Sequence, residues 1–349
     1  MNAVDSGRLA GAPASYGIVM IALALAYAVV FVVLFRRASV IGGGAHGRLL
    51  PAAVFGAGAL LRAAIAPYVE GHPIDMLDFG IWAERAYGGG LAAFYDSGMF
   101  ADYPPGYIYV LYVLGWMLHV LQLEPHTVGW TLLIKLPAIV ADVATAVLLY
   151  RLGVARLGRS AALAVAALYV FHPGVWVNSA VWGQMDAVLA LLVMATVVLL
   201  SGHRPGVAAI VFAVALLTKP QAIVFAPLLL LYGIERRDWK VVATSVAAGL
   251  GTVVALLAPF SIRQDPLWII DHYRSMFAMY PYASLNAFNL YTLFGLNGAS
   301  NEGTWLGIPY RWWDIPAVAA IAAFALIAGA RSRHAAKYAI VGLVLTLLV

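Results

Sequence analysis

Residues Tyr16–Phe35 read YGIVMIALALAYAVVFVVLF, with no charged side chain and no proline. A bilayer hydrocarbon core about 30 Å thick asks for a helix of about 20 mostly apolar residues, and this run meets that requirement. The residues before it are small and polar rather than a basic n-region, so it reads as a retained span and not as a cleavable signal. Comparable runs follow near 50–67, 106–122, 128–150, 160–176, 180–201, 205–217, 220–233, 241–260 and 314–330. Together they predict an all-α integral membrane protein, a polytopic helical bundle of about ten transmembrane segments. Composition agrees: 63% of residues are hydrophobic and 11% charged, against about 25% charged in soluble domains.

The formal net charge is +5, and the lysines and arginines cluster between apolar runs at Arg36, Arg37 and Arg48, Arg151 to Arg159, Arg236 to Lys240, and Arg331 to Lys337. Basic clusters so placed are cytoplasmic anchors rather than a nucleic-acid surface. The chain has no cysteine, which removes disulfides, thiolate metal sites and cysteine nucleophiles. No His or carboxylate group has a metal-ligand spacing, so neither metal nor cofactor is expected. Two polar-aromatic stretches interrupt the spans. The first is 68–105 and the second 261–311; both are rich in aromatics, Gly and Pro, as loops and interfacial helices are. Neither is a separate soluble domain, and 1–349 reads as one transmembrane domain. The last run, Tyr338 to Val349, is too short to cross, so the domain is expected to be incomplete at its C-terminus. Counting crossings from the basic clusters puts both stretches and the segment Asn178 to Asp186 on the extracytoplasmic face. The Arg151 to Arg159 cluster conflicts with that count, which leaves one segment between 106 and 176 that is either re-entrant or does not cross.

Ionisable groups at a membrane boundary are costly, so each invites a functional reading. In the first loop Asp75, Asp78 and Trp82 follow at spacings of three and four, one face of a helix. They make either a solvated interfacial helix or a site. Asn178, Trp182, Gln184 and Asp186 either cap a helix or form a sugar-binding set, in which amides and carboxylate pair with hydroxyls and indole stacks on a pyranose face. Lys219, followed by Pro220 and Gln221, sits where the proline breaks a span; it either snorkels or meets a lipid phosphate. In the second loop Tyr280, Tyr282, Asn286, Asn289 and Tyr291 line a pocket or form an interfacial belt. Lys135 and Asp142, seven apart, and the lone Arg62 read as structural groups inside the bundle.

In this order, Asp75, Trp82, Phe94-Tyr95 and DYPP at 102–105, HP at 172–173, NSAVWGQMDA at 178–187, LTKPQ at 217–221 and NAFNLY at 286–291 resemble membrane glycosyltransferases of the GT-C superfamily. The likeness is to glucosyl- and mannosyltransferases that use polyprenyl-phosphate sugars, and it covers roughly residues 60–300. The resemblance implies a GT-C-type bundle with interfacial helices on the outer first loop. It also implies an extracytoplasmic active site in a multi-pass protein of the cell membrane. It places the catalytic carboxylate on Asp75, with Asp78 as its rival, acting as general base in an inverting displacement. Lys219 would neutralise the donor phosphate. Trp82, Asp102, Tyr103, Asn178, Trp182, Gln184, Asp186, Gln221, Asn286 and Asn289 would line the substrate pocket. The implied partners are a polyprenyl-phosphate sugar donor and a glycan, glycolipid or protein acceptor, in the lipid bilayer, with no nucleic acid. The competing classes are a transporter or lipid-linked-glycan flippase, whose charges are expected near mid-membrane in paired halves, and a non-catalytic relative of the same fold.

Overall fold

Apolar runs closed by proline and glycine dictate the observed architecture. The computed structural model describes residues 49–96, 100–285, 290–331 and Val341. The run Tyr16–Phe35, the terminal run from Tyr338 apart from Val341, and the candidate residues Asn286 and Asn289 lie outside the described residues. Helices dominate what is described. Four of them are long and apolar enough to cross a membrane: Leu49–Tyr68, Val128–Val170, Trp239–Ser261 and Tyr310–Arg331. Shorter apolar helices cover Pro105–Leu121, Asp186–Ser201 and Pro205–Thr218. The chain is an all-α membrane protein in its main lines; most described helices fall on apolar runs of the sequence, and Pro73–Gly89 and Trp268–Ala278 lie in the two polar-aromatic stretches.

Several helix ends follow from local chemistry. Pro105 and Pro205 occupy first-turn positions, where the missing N–H would have no intrahelical partner. Thr127 accepts from the Trp130 amide, and Asp238 accepts from the amides of Lys240 and Val241, as N-caps do. Within Val128–Val170, Gly158 has φ 76° and ψ 167° and interrupts the helix. Gly153 and Ala162 meet across the break, since a Cβ on Gly153 would lie 2.9 Å from that of Ala162. The runs expected at 128–150 and 160–176 are therefore two helices folded about a corner inside the Arg151 to Arg159 cluster. In the second loop the structure adds what hydropathy did not announce, a short antiparallel hairpin pairing Thr304–Trp305 with Ile308–Pro309. Leu306 (φ 50°) and Gly307 (φ 79°) turn it, both left-handed as a two-residue hairpin turn demands.

The chain divides into two compact units, Met1–Met76 with Pro125–Val188, and Leu77–Glu124 with Leu189–Val349. In the first, Leu49–Ile65 packs on Val128–Val170. A Cβ on Gly58 would lie 2.5 Å from Val170 Cγ2, so glycine permits the close crossing. Arg62, wholly buried, donates from Nε to Asp142 Oδ2 at 3.0 Å and from Nη1 to the carbonyls of Gly58 and Val170. Ser179 Oγ donates to the same Asp142 oxygen at 2.6 Å. The partner of Asp142 is thus Arg62, across two helices, and not Lys135 on its own helix.

In the second unit, Pro205–Thr218 lies along Trp239–Ser261. A buried cluster of Leu200, Phe212, Phe225, Leu228, Leu231 and Ala325 closes it on one side. Gly115 meets the Ala83 carbonyl, and Tyr109 donates to the Leu256 carbonyl at 2.8 Å.

The buried ion pair yields the first prediction. Arg62→Met strands the Asp142 carboxylate and is expected to cost about 3–5 kcal/mol, whereas Arg62→Met with Asp142→Leu strands no charge and loses less. Thermal midpoints of the three proteins in detergent micelles check this order; an unchanged midpoint in the single variant would refute it.

Candidate functional site

Helix Pro73–Gly89 begins where the sequence places the first-loop carboxylate, so Asp75 stands in its first turn. Within the first unit its Oδ2 accepts from Trp182 Nε1 at 2.6 Å and from Gln184 Nε2 at 3.0 Å. Two N–H donors on one oxygen fix the carboxylate plane and leave the other oxygen, Oδ1, outside this pair of bonds. His72 Nδ1 lies 3.4 Å from Oδ2 and also faces the Asp75 amide at 3.4 Å. The His72 ring stacks on the Trp182 indole, with centroids 5.0 Å apart and planes 11° from parallel. Trp182 keeps 41% of its surface exposed while one face is covered in this way. Asn178 donates to Asp186 at 3.5 Å, so NSAVWGQMDA folds into a single polar corner.

What brings residues 107 positions apart together is a buried lysine. Lys135 Nζ is enclosed by the carbonyl oxygens of Ala66 (3.2 Å), Val69 (2.6 Å), Ala180 (3.1 Å) and Val181 (3.1 Å). The side chain is fully buried. The first two carbonyls belong to the turn leading into His72. The other two belong to the π-helical turn Val177–Trp182, whose wider winding leaves carbonyls free for an outside donor. Next to this ammonium the His72 amide donates to the Trp182 carbonyl at 2.9 Å. Gly71 (φ 90°) and Gly183 (φ 92°) make the approach possible. A Cβ on Gly71 would lie 2.6 Å from the Trp182 carbonyl oxygen, and one on Gly183 would lie 2.5 Å from Met76 Sδ. Nothing in the sequence spacing announced this arrangement. A lysine inside an apolar run was its only visible trace.

The second unit holds the remaining candidates in a second group. Gly106 packs against the chain at Leu217 and Thr218, where a Cβ would lie 2.6 Å from the Leu217 carbonyl, so DYPP and LTKPQ become neighbours. Lys219 leaves the helix with φ −153° and ψ 130°, and its Nζ stands 5.7 Å above the centroid of the Tyr103 ring. The Tyr103 carbonyl accepts from Tyr95 Oη at 2.7 Å and lies 3.3 Å from His272 Nε2. Burial lowers the pKa of His272, against smaller opposing contributions from the Tyr103 carbonyl and Asp102, so the ring is neutral at pH 7. Burial likewise pushes Tyr273 up to about 12. Asp102 Oδ2 accepts from Tyr280 Oη at 2.8 Å. Gln221 is exposed beside Lys219, and Asp78 is half-buried with a partner of its own. Trp82 is 2% exposed and donates to the Phe100 carbonyl at 2.9 Å, packed against Phe79 and Tyr103. It supports Tyr103 from within instead of offering an open face. Among the described residues no group of three or more His or carboxylate side chains is placed to hold a metal.

Comparison with known proteins finds no curated relative that matches. The family model of glycosyltransferase family 87 matches residues 100–349, a stretch that includes the Asn178 to Asp186 corner, Tyr103 and Lys219 and begins after Asp75. The chain belongs to glycosyltransferase family 87.

Proposed function

We propose that this glycosyltransferase moves a hexose, mannose or glucose, from a polyprenyl-phosphate sugar to an extracytoplasmic glycan, glycolipid or protein, in one inverting displacement. The observation that carries the reading is the Asp75 carboxylate, held on one oxygen by the Trp182 indole and the Gln184 amide. In the step proposed, an acceptor hydroxyl oxygen attacks the anomeric carbon as the bond from that carbon to the phosphate oxygen breaks. Its proton passes to Asp75 Oδ1, and the bonding pair leaves with the polyprenyl phosphate. A phosphate leaves as an anion, so no second, protonated carboxylate of the glycosidase kind is required.

Trp182 serves this chemistry twice. Its Nε1 orients the base, and its exposed side offers a face on which a pyranose ring can stack. Asn178, Gln184 and Asp186 supply the donors and acceptors that sugar hydroxyls need. In the other unit Lys219 is assigned to the donor phosphate, as a compact ammonium on an extended stretch of chain. Tyr103 sits under it, and Asp102, Tyr280 and Gln221 offer hydroxyl-pairing groups nearby.

The test is sugar transfer in proteoliposomes containing labelled polyprenyl-phosphate mannose or glucose and a membrane lipid extract as acceptor. Asp75→Asn keeps the shape and removes the base, and the expected loss in kcat is about 10²–10⁴-fold. Transfer at the wild-type rate in that variant would overturn the assignment. Trp182→Phe keeps the ring and deletes the N–H; loosening the base in this way is expected to cost about 10²-fold in kcat, since small misplacements weigh that much. Lys219→Met is expected to lower kcat/KM for the donor by about 10²-fold, with acceptor KM unchanged. A fall in acceptor affinity alone would place Lys219 elsewhere in the reaction.

A further inference from the structure

The second unit contains a cavity along helix Pro205–Thr218, between that helix, Ala226–Arg236 and Trp239–Ser261. It runs from Pro205 to Leu216, and its basic end lies at Pro205, the end of the helix away from Lys219. It encloses about 230 Å³ and is lined almost wholly by apolar groups, among them Pro205, Tyr232, Val242, Val246, Leu250 and Val253. Val246 and Leu250 are 53% and 61% exposed, so the cavity is a groove open along its side. From Val242 to Val253 it runs about 17 Å at 1.5 Å per residue, close to one leaflet of a hydrocarbon core about 30 Å thick.

The end of the groove is basic. Arg204 precedes Pro205, Arg236 and Arg237 follow Tyr232 and Gly233, and Lys240 precedes Val241. Arg204, Arg236, Arg237 and Lys240 are all exposed. Arg236 stands 5.5 Å over the Tyr232 ring, which itself lines the groove, and its guanidinium meets His203 Nδ1. The acidic groups at this end are Glu235 and Asp238, and the Asp238 carboxylate is taken by the amides of Lys240 and Val241. Four cations therefore face two carboxylates. Trp239, 76% exposed, stands beside them as aromatic anchors do at the membrane interface.

We propose that this groove binds one anionic phospholipid, with an acyl chain lying between the three helices and its phosphate held by Arg204, Arg236 and Lys240. Charge selects the occupant. A zwitterionic lipid would fill the apolar part equally well but gain nothing net from the cluster, while basic pockets between helices capture anionic head groups. The phosphate-holding end of the site stands at the opposite end of Pro205–Thr218 from Lys219, and the proposal is independent of the sugar-transfer reading.

The measurement is native mass spectrometry of the detergent-solubilised 349-residue chain, titrated with phosphatidylglycerol and phosphatidylcholine of identical acyl chains. One phosphatidylglycerol is expected to persist where phosphatidylcholine is lost. The variant Arg204→Gln/Arg236→Gln/Lys240→Gln should weaken phosphatidylglycerol on the order of a hundredfold, about fivefold for each charge removed, and leave phosphatidylcholine unchanged. Val246→Trp fills the groove from its open side with every charge kept, and should weaken phosphatidylglycerol as well. Equal retention of the two lipids, no single retained lipid, or undiminished phosphatidylglycerol binding in either variant would overturn the proposal.

Discussion

Lys135 places a full positive charge inside an apolar helix with four main-chain carbonyls around it. An ammonium in such surroundings must be satisfied or stay out, because an unpaired charge costs several kcal/mol in a low-dielectric interior. Main-chain carbonyls serve where a carboxylate would have consumed the charge in one salt bridge. Because they come from two separate segments, satisfying the lysine ties those segments together. The turn 66–71 and the turn 177–184 also pack through Ala66 and Ala180, but that apolar contact alone fixes no hydrogen-bonded register. Once they meet, the His72 amide finds the Trp182 carbonyl, the two rings stack, and the indole N–H reaches Asp75. Gly71 and Gly183 are the cost in side chains, each bare where a Cβ would collide.

The same helix carries a second polar knot one heptad on, with different chemistry. Asp142 is matched by Arg62 and Ser179, so helix is joined to helix by an ion pair while Lys135 joins loop to loop through carbonyls. Among the described residues of the other unit no buried charge plays this part. There a glycine, Gly106, allows one helix start to press against the helix end at Thr218, and aromatic packing around Tyr103 holds the result. Each group of candidate residues is thus supported by a feature that is costly alone and stable only in its full setting.

How far this was legible in the sequence differs by level. Among the described residues, apolar runs fell on helices, and Pro220 marked where one breaks. The basic cluster at 151 to 159 also carried Gly158, the corner that divides one long run into two helices. Motif order brought DYPP, LTKPQ and NSAVWGQMDA to notice, and the matched family covers all three. Pairings across distance were not legible. Spacing put Lys135 and Asp142 on one helix face inside the bundle without naming their partners, and the carboxylate meets Arg62. The resemblance put Trp82 in the substrate pocket, and its burial against Tyr103 reflects neighbours that only the folded chain supplies. His72 stood in plain view before Pro73 without a role, because its partner Trp182 is more than a hundred residues away.

The central claim is that Lys135 organises the carboxylate site through the carbonyls it holds. Hydrogen–deuterium exchange on wild type and Lys135→Met, a variant of similar length without the charge, tests it most directly. The account predicts that exchange quickens in residues 66–76 and 177–184 while the helices Trp239–Ser261 and Pro205–Thr218 keep their protection. Unchanged exchange in those two segments, or the same increase in every helix, would contradict it.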